Sequence, residues 1–359
     1  MNLPVTRRHA LKTVSAAVLA PYACGLAADV PARIRIAQLG TSHAHASGKM
    51  DALRSLPDLY DVVGIAEPIA GGQAKAEKQK SYAGLKWLTE DGLLSDTSIK
   101  AVVVETTLGD SARAALACLQ AGKHIHLDKP GAETHADFKV LRLEAERRQL
   151  MVQMGYMLRY NPAFELLFRA HREGWLGQIT EIDASMGKLA DPGLLAQLAT
   201  IPGHGMFELA CHVVDAVVFL LGAPSAVHAF GKPTGLAPSE LPDNQLAVLE
   251  YPKTTVTLRC NHGDPFGGQH RRFQVTGTKG AMDIQPLESG RGVLHLTEVQ
   301  GDFKKGDNKL ALSVPAGRYT HEFRDLACVL RGEKRLAWSA EHDIAVHATA
   351  LRCAGVSPA

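Results

Sequence analysis

Short apolar segments alternate with helix-like segments through the first 155 residues, and this alternation constrains the fold more than any other feature. Five segments are typical of strands, at 33–39, 61–66, 100–105, 124–127 and 150–155. The helix-like segments between them lie at 46–55, 72–80, 111–121 and 134–148. Strands that alternate with helices form parallel, doubly wound sheets. The chain is therefore predicted to be an α/β protein whose first domain spans 33–155.

The strand at 124–127 ends in Asp128, Lys129 and Pro130, and the proline stops it sharply. Ligands of open α/β sheets bind outside the carboxyl ends of the strands. Lys129 is therefore predicted to face a ligand, where its ammonium group can polarise a substrate oxygen. The alternative is a solvated lysine at the end of a strand.

The second half of the chain changes to strands in close succession. A helix at 162–173, a strand at 178–187, an irregular stretch and a helix near 206–220 come first. Further strands are predicted at 225–231, 245–250, 254–261, 271–277, 280–284 and 293–299. Short links between them indicate a second α/β domain over 156–359 with an open, largely antiparallel sheet. The last helices, 318–331 and 341–353, are expected to pack back on the first domain.

Residues 1–28 are predicted to be an export signal rather than part of the fold. Arg7 and Arg8 precede a short apolar run at 14–19, and small residues at 25–28 suit a cleavage site. The pattern resembles a twin-arginine signal, which implies use of the twin-arginine export machinery and a periplasmic location. No apolar run is long enough to span a bilayer, so no membrane association is expected of the mature protein.

Composition narrows the class of protein further. The chain has 359 residues, 46% of them hydrophobic and 21% charged, with a formal net charge of +2. These proportions are typical of globular domains. Because no basic stripe is interleaved with aromatic residues, nucleic-acid binding is not expected. The six cysteines have no C-x-x-C spacing, and the sequence alone pairs none of them.

Two motifs resemble those of the Gfo/Idh/MocA oxidoreductases. Asp128-Lys129-Pro130 is similar to the family's Glu-Lys-Pro triplet, and 203–215 is similar to its Gly-Gly-x-x-x-Asp-x-Gly-x-His-x-x-Asp motif. The resemblance runs from about Arg33 to the C-terminus. It implies a Rossmann-like first domain, an NAD(P)-dependent oxidoreductase acting on a carbohydrate or glycoside, and a homo-oligomer with contacts through the second sheet. Aspartate replaces glutamate at 128, and glutamate replaces aspartate at 208.

The resemblance implies that Lys129, His212 and Glu208 are catalytic. Spacings of four and three residues place Glu208, His212 and Asp215 on one face of a single predicted helix. A neutral imidazole can remove a hydroxyl proton near pH 7, and Glu208 is expected to orient His212 and stabilise its charged form. The alternative is a buried histidine that is hydrogen-bonded within the core.

A glycine loop for a dinucleotide is expected after the first strand, but 40–45 keeps only its first glycine. The N-terminus of the following helix still offers free N–H groups to an anion. Glu67 is expected to bind the ribose hydroxyls, which favours NAD over NADP. The expected cofactor is NAD or NADP, tightly bound because the periplasm has no ready pool. The predicted contacts are Gly40, Ser42, His43, Glu67, Thr106, Asp128 and Lys129. The family's Thr-Pro-Asn segment is missing after Glu105.

The remaining site candidates are less specific. The predicted substrate residues are Arg159, Tyr160, Asp215 and His262. A metal is not predicted, but two H-x-H pairs would supply ligands from His43, His45 and His126 if one is present. Exported protein suits a redox-neutral cycle in which a glycoside is oxidised, cleaved by elimination and reduced. The alternatives are a lyase or hydratase acting on keto-glycosides, metal-assisted or cofactor-free, and a non-catalytic sugar-binding protein.

Overall fold

The first sheet consists of six parallel strands in the order β3-β2-β1-β4-β5-β6. The strands are β1 Ile34–Leu39, β2 Tyr60–Ala66, β3 Trp87–Leu88, β4 Ala101–Val104, β5 His124–Leu127 and β6 Val152–Met154. The helices that connect them are α1 Ala46–Arg54, α2 Gly72–Ala76, α3 Glu90–Ser95, α4 Leu108–Gln120 and α5 His135–Arg147. The strand order reverses between β1 and β4, and a doubly wound sheet binds its ligand at such a point.

The second sheet has eight strands in the order β14-β13-β12-β11-β7-β10-β9-β8. Its strands are β7 Ile179–Gly187, β8 Ala226–Lys232, β9 Asn244–Glu250, β10 Thr255–Asn261, β11 Arg272–Gly277, β12 Gly280–Ile284, β13 Arg291–Leu296 and β14 Gly306–Ala311. Among the strands of this sheet that the structure describes, only β7 and β10 pair in parallel. Along β7, Ile182, Ala184 and Met186 are buried while Asp183 is half-buried and Glu181 exposed, so one face is open. These two sheets confirm the predicted fold class.

The second half of the chain also contains helices, which precede, interrupt and follow the strands of the second sheet. They are α6 Pro162–Arg172, α7 Pro192–Thr200, α8 His204–Glu208, α9 Cys211–Leu221, α10 Gly267–His270, α11 Thr320–Leu330 and α12 Ala340–Cys353. Local sequence fixes the start of α6, because the Asn161 side chain accepts a hydrogen bond from the Ala163 amide at 2.9 Å and Pro162 opens the helix. Helix α11 packs on α1, and α12 packs on α5 and α9.

This computed structural model describes residues 32–237, 240–314 and 316–358. The predicted export signal at 1–28 lies outside them. Within the described residues, no helix is both long and apolar enough to cross a membrane. Two sequence predictions are wrong in detail: the helix predicted near 206–220 is two helices, α8 and α9, and the stretch after β7 that was expected to be irregular contains α7.

Candidate active site

A cleft of about 340 Å³ lies at the carboxyl edge of the first sheet, where the strand order reverses. One wall comes from the loops after β1, β4 and β5, and the other from α7 and α8. The residues that line it are Ser42, His43, Val104, Thr106, Thr107, Leu108, Gly109, Ser111, Asp128, Lys129, Pro130, Glu133, Gln197, Thr200, Ile201 and Glu208. The predicted residues Ser42, His43, Thr106, Asp128, Lys129 and Glu208 thus share one cleft.

Lys129 and Glu208 form an ion pair in this cleft. Lys129 Nζ donates to Glu208 Oε1 at 2.6 Å and to the Glu208 carbonyl oxygen at 2.7 Å. Burial works to lower the pKa of Lys129, but the Glu208 carboxylate outweighs burial and raises it. Burial likewise works to raise the pKa of Glu208, yet Lys129 lowers it to about 2. Both groups are therefore charged near neutral pH, and the lysine is fixed in place.

His212 lies in the first turn of α9 with 1% of its surface exposed, and it is not among the residues that line the cleft. Burial, followed by the charge of Lys129, holds the pKa of His212 well below its ordinary value. Its Nδ1 has no hydrogen-bond partner among the described residues, and its ring meets the edge of the Tyr156 ring at 5.9 Å. His212 is therefore a neutral imidazole near pH 7, the form that accepts a proton.

The expected pairing of Glu208 with His212 is wrong. Glu208 ends α8, whereas His212 begins a separate helix, α9, so the two side chains do not share a helix face. The Glu208 carboxylate is directed at Lys129 instead, 2.6 Å away. Its role in the structure is to position the lysine.

A polar cluster centred on Asp128 lies beside this pair. Asp128 Oδ2 is 2.6 Å from Lys49 Nζ, 2.9 Å from His45 Nδ1 and 3.1 Å from His43 Nδ1. Lys49 Nζ also lies 2.9 Å from Glu105 Oε1, and the Glu105 side chain is fully buried. Burial works to lower the pKa of His43, but Asp128 and Glu105 together raise it to about 9. Lys49 and Glu105 were not among the predicted site residues, although Lys49 follows His45 by one helical turn, a spacing that places them together.

His126 does not belong to this cluster, which corrects the predicted set of possible metal ligands. Its Nδ1 lies 2.9 Å from Gln153 Oε1, and its Nε2 lies 3.6 Å from Glu322 Oε1. His43, His45 and Asp128 form the group that could hold an ion. His126 lies within β5, which ends at Leu127, whereas Asp128 follows the end of that strand.

The loop after β1 fits a dinucleotide despite its lost glycines. Gly40 has φ of +87°, and a Cβ there would lie 2.7 Å from Thr106 Cγ2, so glycine is required where the loop approaches β4. The imidazole of His45 is directed at Asp128, with Nδ1 2.9 Å from the carboxylate oxygen. Glu67 Oε2 accepts from the Thr41 amide at 2.6 Å and stands at the end of β2, where a ribose is held.

The predicted substrate residues Arg159 and Asp215 have a structural role instead. Arg159 is 2% exposed, and its guanidinium lies 2.6 Å from both Asp215 Oδ1 and Asp343 Oδ1. These pairs join the turn at 157–160 to α9 and α12. Neither side chain lines the cleft, so the prediction that they contact substrate there is not supported by their positions.

Tyr160 and His262 also lie outside the cleft. Tyr160 lines a separate cavity of about 430 Å³ with Met157, Arg318 and His321, and its hydroxyl accepts a hydrogen bond from Gln153 Nε2 at 2.9 Å. His262 is fully buried at the end of β10, packed directly against Gly205 at the start of α8.

These features define a class of protein: an α/β fold with a doubly wound parallel sheet, a second and largely antiparallel sheet, and a Lys129–Glu208 ion pair in the cleft where the strand order reverses. Comparison with known sequences agrees. Residues 34–156 match the family described as "Oxidoreductase family, NAD-binding Rossmann fold", and residues 164–283 match "GFO/IDH/MocA C-terminal domain". The chain belongs to the Gfo/Idh/MocA family of NAD-binding oxidoreductases.

Individual relatives have low sequence identity to this chain but match most of its length. An inositol 2-dehydrogenase of Salmonella typhimurium is 24% identical over 272 residues, which are 71% of this chain and 77% of that protein. Inositol 2-dehydrogenase 2 of Saccharopolyspora erythraea is 28% identical over 60% of this chain and 62% of its own length. The structure of a levoglucosan dehydrogenase in complex with NADH and levoglucosan superposes with a TM-score of 0.76, at 19% identity, over 90% of this chain and 96% of that one.

Proposed function

We propose that this protein is an NAD(P)-dependent dehydrogenase of a cyclic polyol, sugar or glycoside. The observation that carries the proposal is the buried Lys129–Glu208 ion pair in the cleft at the strand-order reversal. A fixed ammonium group there suits the oxygen of an alcohol that becomes a carbonyl. The inositol 2-dehydrogenase and levoglucosan dehydrogenase among the relatives support a polyhydroxylated ring as the substrate class.

The side chains divide the work of such a reaction. NAD(P), when bound, supplies the hydride acceptor for the carbon that is oxidised. Lys129 hydrogen-bonds the reacting oxygen and stabilises negative charge on it, while Glu208 fixes the ammonium group. His212 is neutral and accepts the hydroxyl proton. Burial, followed by the charge of Lys129, keeps it unprotonated near neutral pH.

The finer features of the proposal concern the choice of cofactor, the cellular location and the oligomeric state. Glu67 favours NAD, because a carboxylate accepts from ribose hydroxyls and repels a 2′-phosphate. We extend the proposal to a tightly held cofactor, a redox-neutral cycle, twin-arginine export to the periplasm and a homo-oligomer. The pattern at 1–28 supports export, and the open face of the second sheet supports subunit contact.

A substrate panel tests the proposed function. Purified protein is mixed with NAD⁺ or NADP⁺ and, in turn, myo-inositol, scyllo-inositol, levoglucosan and a set of aryl glycosides. The expected result is reduced cofactor with at least one ring polyol and none with Lys129→Met, while the exposed-lysine control Lys100→Met behaves as the native protein does. If wild type and Lys129→Met give the same rate, the proposed role of the ion pair is wrong.

A further inference from the structure

We propose that His43, His45 and Asp128 bind a divalent transition-metal ion, with Glu105 as a further carboxylate ligand. The site stands beside the proposed cofactor cleft and does not depend on the proposed dehydrogenase activity. Neither the family match nor the relatives' names assign a metal to this position. The inference comes from the geometry of the four side chains.

The three principal ligand atoms are close enough for one ion. One atom from each of His43, His45 and Asp128 lies within 4.8 Å of the others. Both histidines direct Nδ1 toward the same carboxylate oxygen, at 3.1 and 2.9 Å. Ligands held about 2.0–2.2 Å from a tetrahedral zinc ion stand roughly 3.3 Å apart. The observed separations are near that spacing.

Hydrogen bonding satisfies Asp128 but leaves the second carboxylate of this cluster, Glu105, without a partner among the described residues. Asp128 Oδ2 faces three nitrogen atoms, because Lys49 Nζ lies 2.6 Å away in addition to the two imidazoles. Neither oxygen of the Glu105 carboxylate has a hydrogen-bond partner among the described residues, although the side chain is fully buried. Lys49 Nζ approaches Oε1 to 2.9 Å as an ion pair without hydrogen-bond geometry. Unsatisfied buried carboxylates are costly, and a metal ion would satisfy this one.

Glu105 is placed to join the same ion. Its Oε2 lies 3.5 Å from His43 Nδ1, on the side opposite to the oxygen that faces Lys49. The ammonium group of Lys49 is fully buried and neutralises one of the two carboxylate charges from within the protein. A second carboxylate charge remains for the ion. The set of two imidazoles and two carboxylates suits Zn²⁺ rather than Mg²⁺ or Ca²⁺, which prefer oxygen ligands.

The site opens toward the cleft, which gives the ion a chemical use. His43 and Asp128 both line the cleft, and Asp128 Oδ1 accepts a hydrogen bond from the Lys129 amide at 2.7 Å. An ion held by these side chains would stand beside the catalytic lysine. Its remaining coordination position would be available to water or to a hydroxyl or carbonyl oxygen of a sugar, which it would polarise as a Lewis acid.

The test uses the full chain without a histidine tag, treated with chelator and then titrated with Zn²⁺ and with Co²⁺. We expect about one ion per chain and a Co²⁺ absorption spectrum typical of nitrogen and oxygen ligands. The double variant His43→Ala/His45→Ala should bind at least ~100-fold more weakly. The matched control is His270→Ala, which removes an exposed histidine that also faces an aspartate, Asp264 at 2.7 Å.

Several outcomes would overturn the metal proposal. One is native protein that binds much less than one ion per chain, which decides the matter even if the double variant fails to fold. Another is equal affinity in the double variant and in His270→Ala. NAD⁺ binding is measured on the same chelator-treated sample, so loss of the metal proposal and loss of the dehydrogenase proposal are separate results.

Discussion

At the scale of single residues, the central feature is a lysine held by one carboxylate at the end of a strand. Replacing Lys129 by methionine removes the charge and keeps much of the side-chain volume. We expect kcat/KM to fall by about 10²–10⁴-fold, the usual contribution of a positioned acid or base. Fluorescence titration with NADH should show cofactor binding within a few-fold of native. An unchanged kcat/KM would remove Lys129 from the reaction.

The buried guanidinium of Arg159 leads to a prediction about stability. In Arg159→Met, the carboxylates of Asp215 and Asp343 lose their shared partner inside the protein. Removing one member of a buried ion pair costs about 3–5 kcal/mol, so the midpoint of urea unfolding should fall markedly. The control is Arg272→Met, whose exposed pair with Asp183 at 2.6 Å should cost less than about 1 kcal/mol. Equal shifts for the two variants would contradict the structural role of Arg159.

The roles of some of these residues could be predicted from the sequence, and the roles of others could not, for physical reasons. Lys129 could be placed at the ligand edge, because the strand pattern and Pro130 fix where the strand ends. The partner of Glu208 could not be predicted, since it depends on a break between α8 and α9 that no Pro marks. Arg159 seemed a substrate residue by position in the chain, but its two carboxylate partners come from helices 56 and 184 residues away.

At the scale of elements, α8 is held close to the second sheet by a glycine. A Cβ at Gly205 would overlap the His262 imidazole at the end of β10. We expect Gly205→Ala to destabilise the protein by about 1–3 kcal/mol, the usual cost of overpacking, and to displace Glu208 at the other end of α8. Thermal unfolding and kcat/KM measure the two effects.

Two further variants separate packing from other causes at this element. Gly268→Ala is the matched control, because a Cβ there meets nothing within 4 Å. Adding His262→Ala to Gly205→Ala removes the overlapping ring and should restore part of the lost stability. A Gly205→Ala protein as stable as Gly268→Ala would show that the close approach of α8 and β10 is not needed.

The boundaries of helices and strands can be predicted where local sequence marks them, whereas their packing depends on distant residues. The prediction for β12 at 280–284 agrees with the structure, because Gly280 and the turn before it mark its start in the sequence. Helix α7 was not predicted, although Asp191 caps it by accepting from the Leu194 amide at 2.9 Å and Pro192 follows at its first position. Those two signals identify α7 locally, whereas the packing of α7 over the cleft needs the whole fold.

At the scale of the whole molecule, Glu322 of helix α11 packs its carboxyl group against the first sheet, 3.6 Å from His126 Nε2. Burial raises the pKa of Glu322 to about 8, despite the opposing charge of Lys49. The titratable and charged groups around it are His126, Lys49, Asp128, Glu105 and Arg318. A carboxyl group whose pKa is raised on folding stabilises the folded state below its ordinary value and loses that contribution as the pH rises through the raised value.

The variant Glu322→Gln keeps the uncharged form at every pH. Its free energy of unfolding relative to the native protein should therefore rise between about pH 5 and about pH 9. Chemical unfolding at a series of pH values measures this difference. The control is Glu181→Gln on the exposed face of β7, for which the difference should stay constant. A constant difference for Glu322→Gln as well would mean that the carboxyl group ionises normally.

The whole-molecule architecture was predictable because both sheets leave periodic signals in the sequence. The cofactor site was predictable only in position. Its glycine loop departs from the family pattern at His45, and in the structure the His45 ring is directed at Asp128. No local rule predicts that orientation, since Asp128 is 83 residues further along the chain.

The cofactor content of the purified protein tests most directly whether it is an NAD-dependent dehydrogenase. Protein is purified from cells without added cofactor and denatured, and the supernatant is assayed for NAD and NADP by mass spectrometry. Stripped and refolded protein is then titrated with each dinucleotide. We expect NAD in the supernatant and saturable NAD⁺ binding that is tighter than NADP⁺ binding. No dinucleotide in the supernatant, together with no binding at millimolar concentration, would contradict the proposed dehydrogenase function.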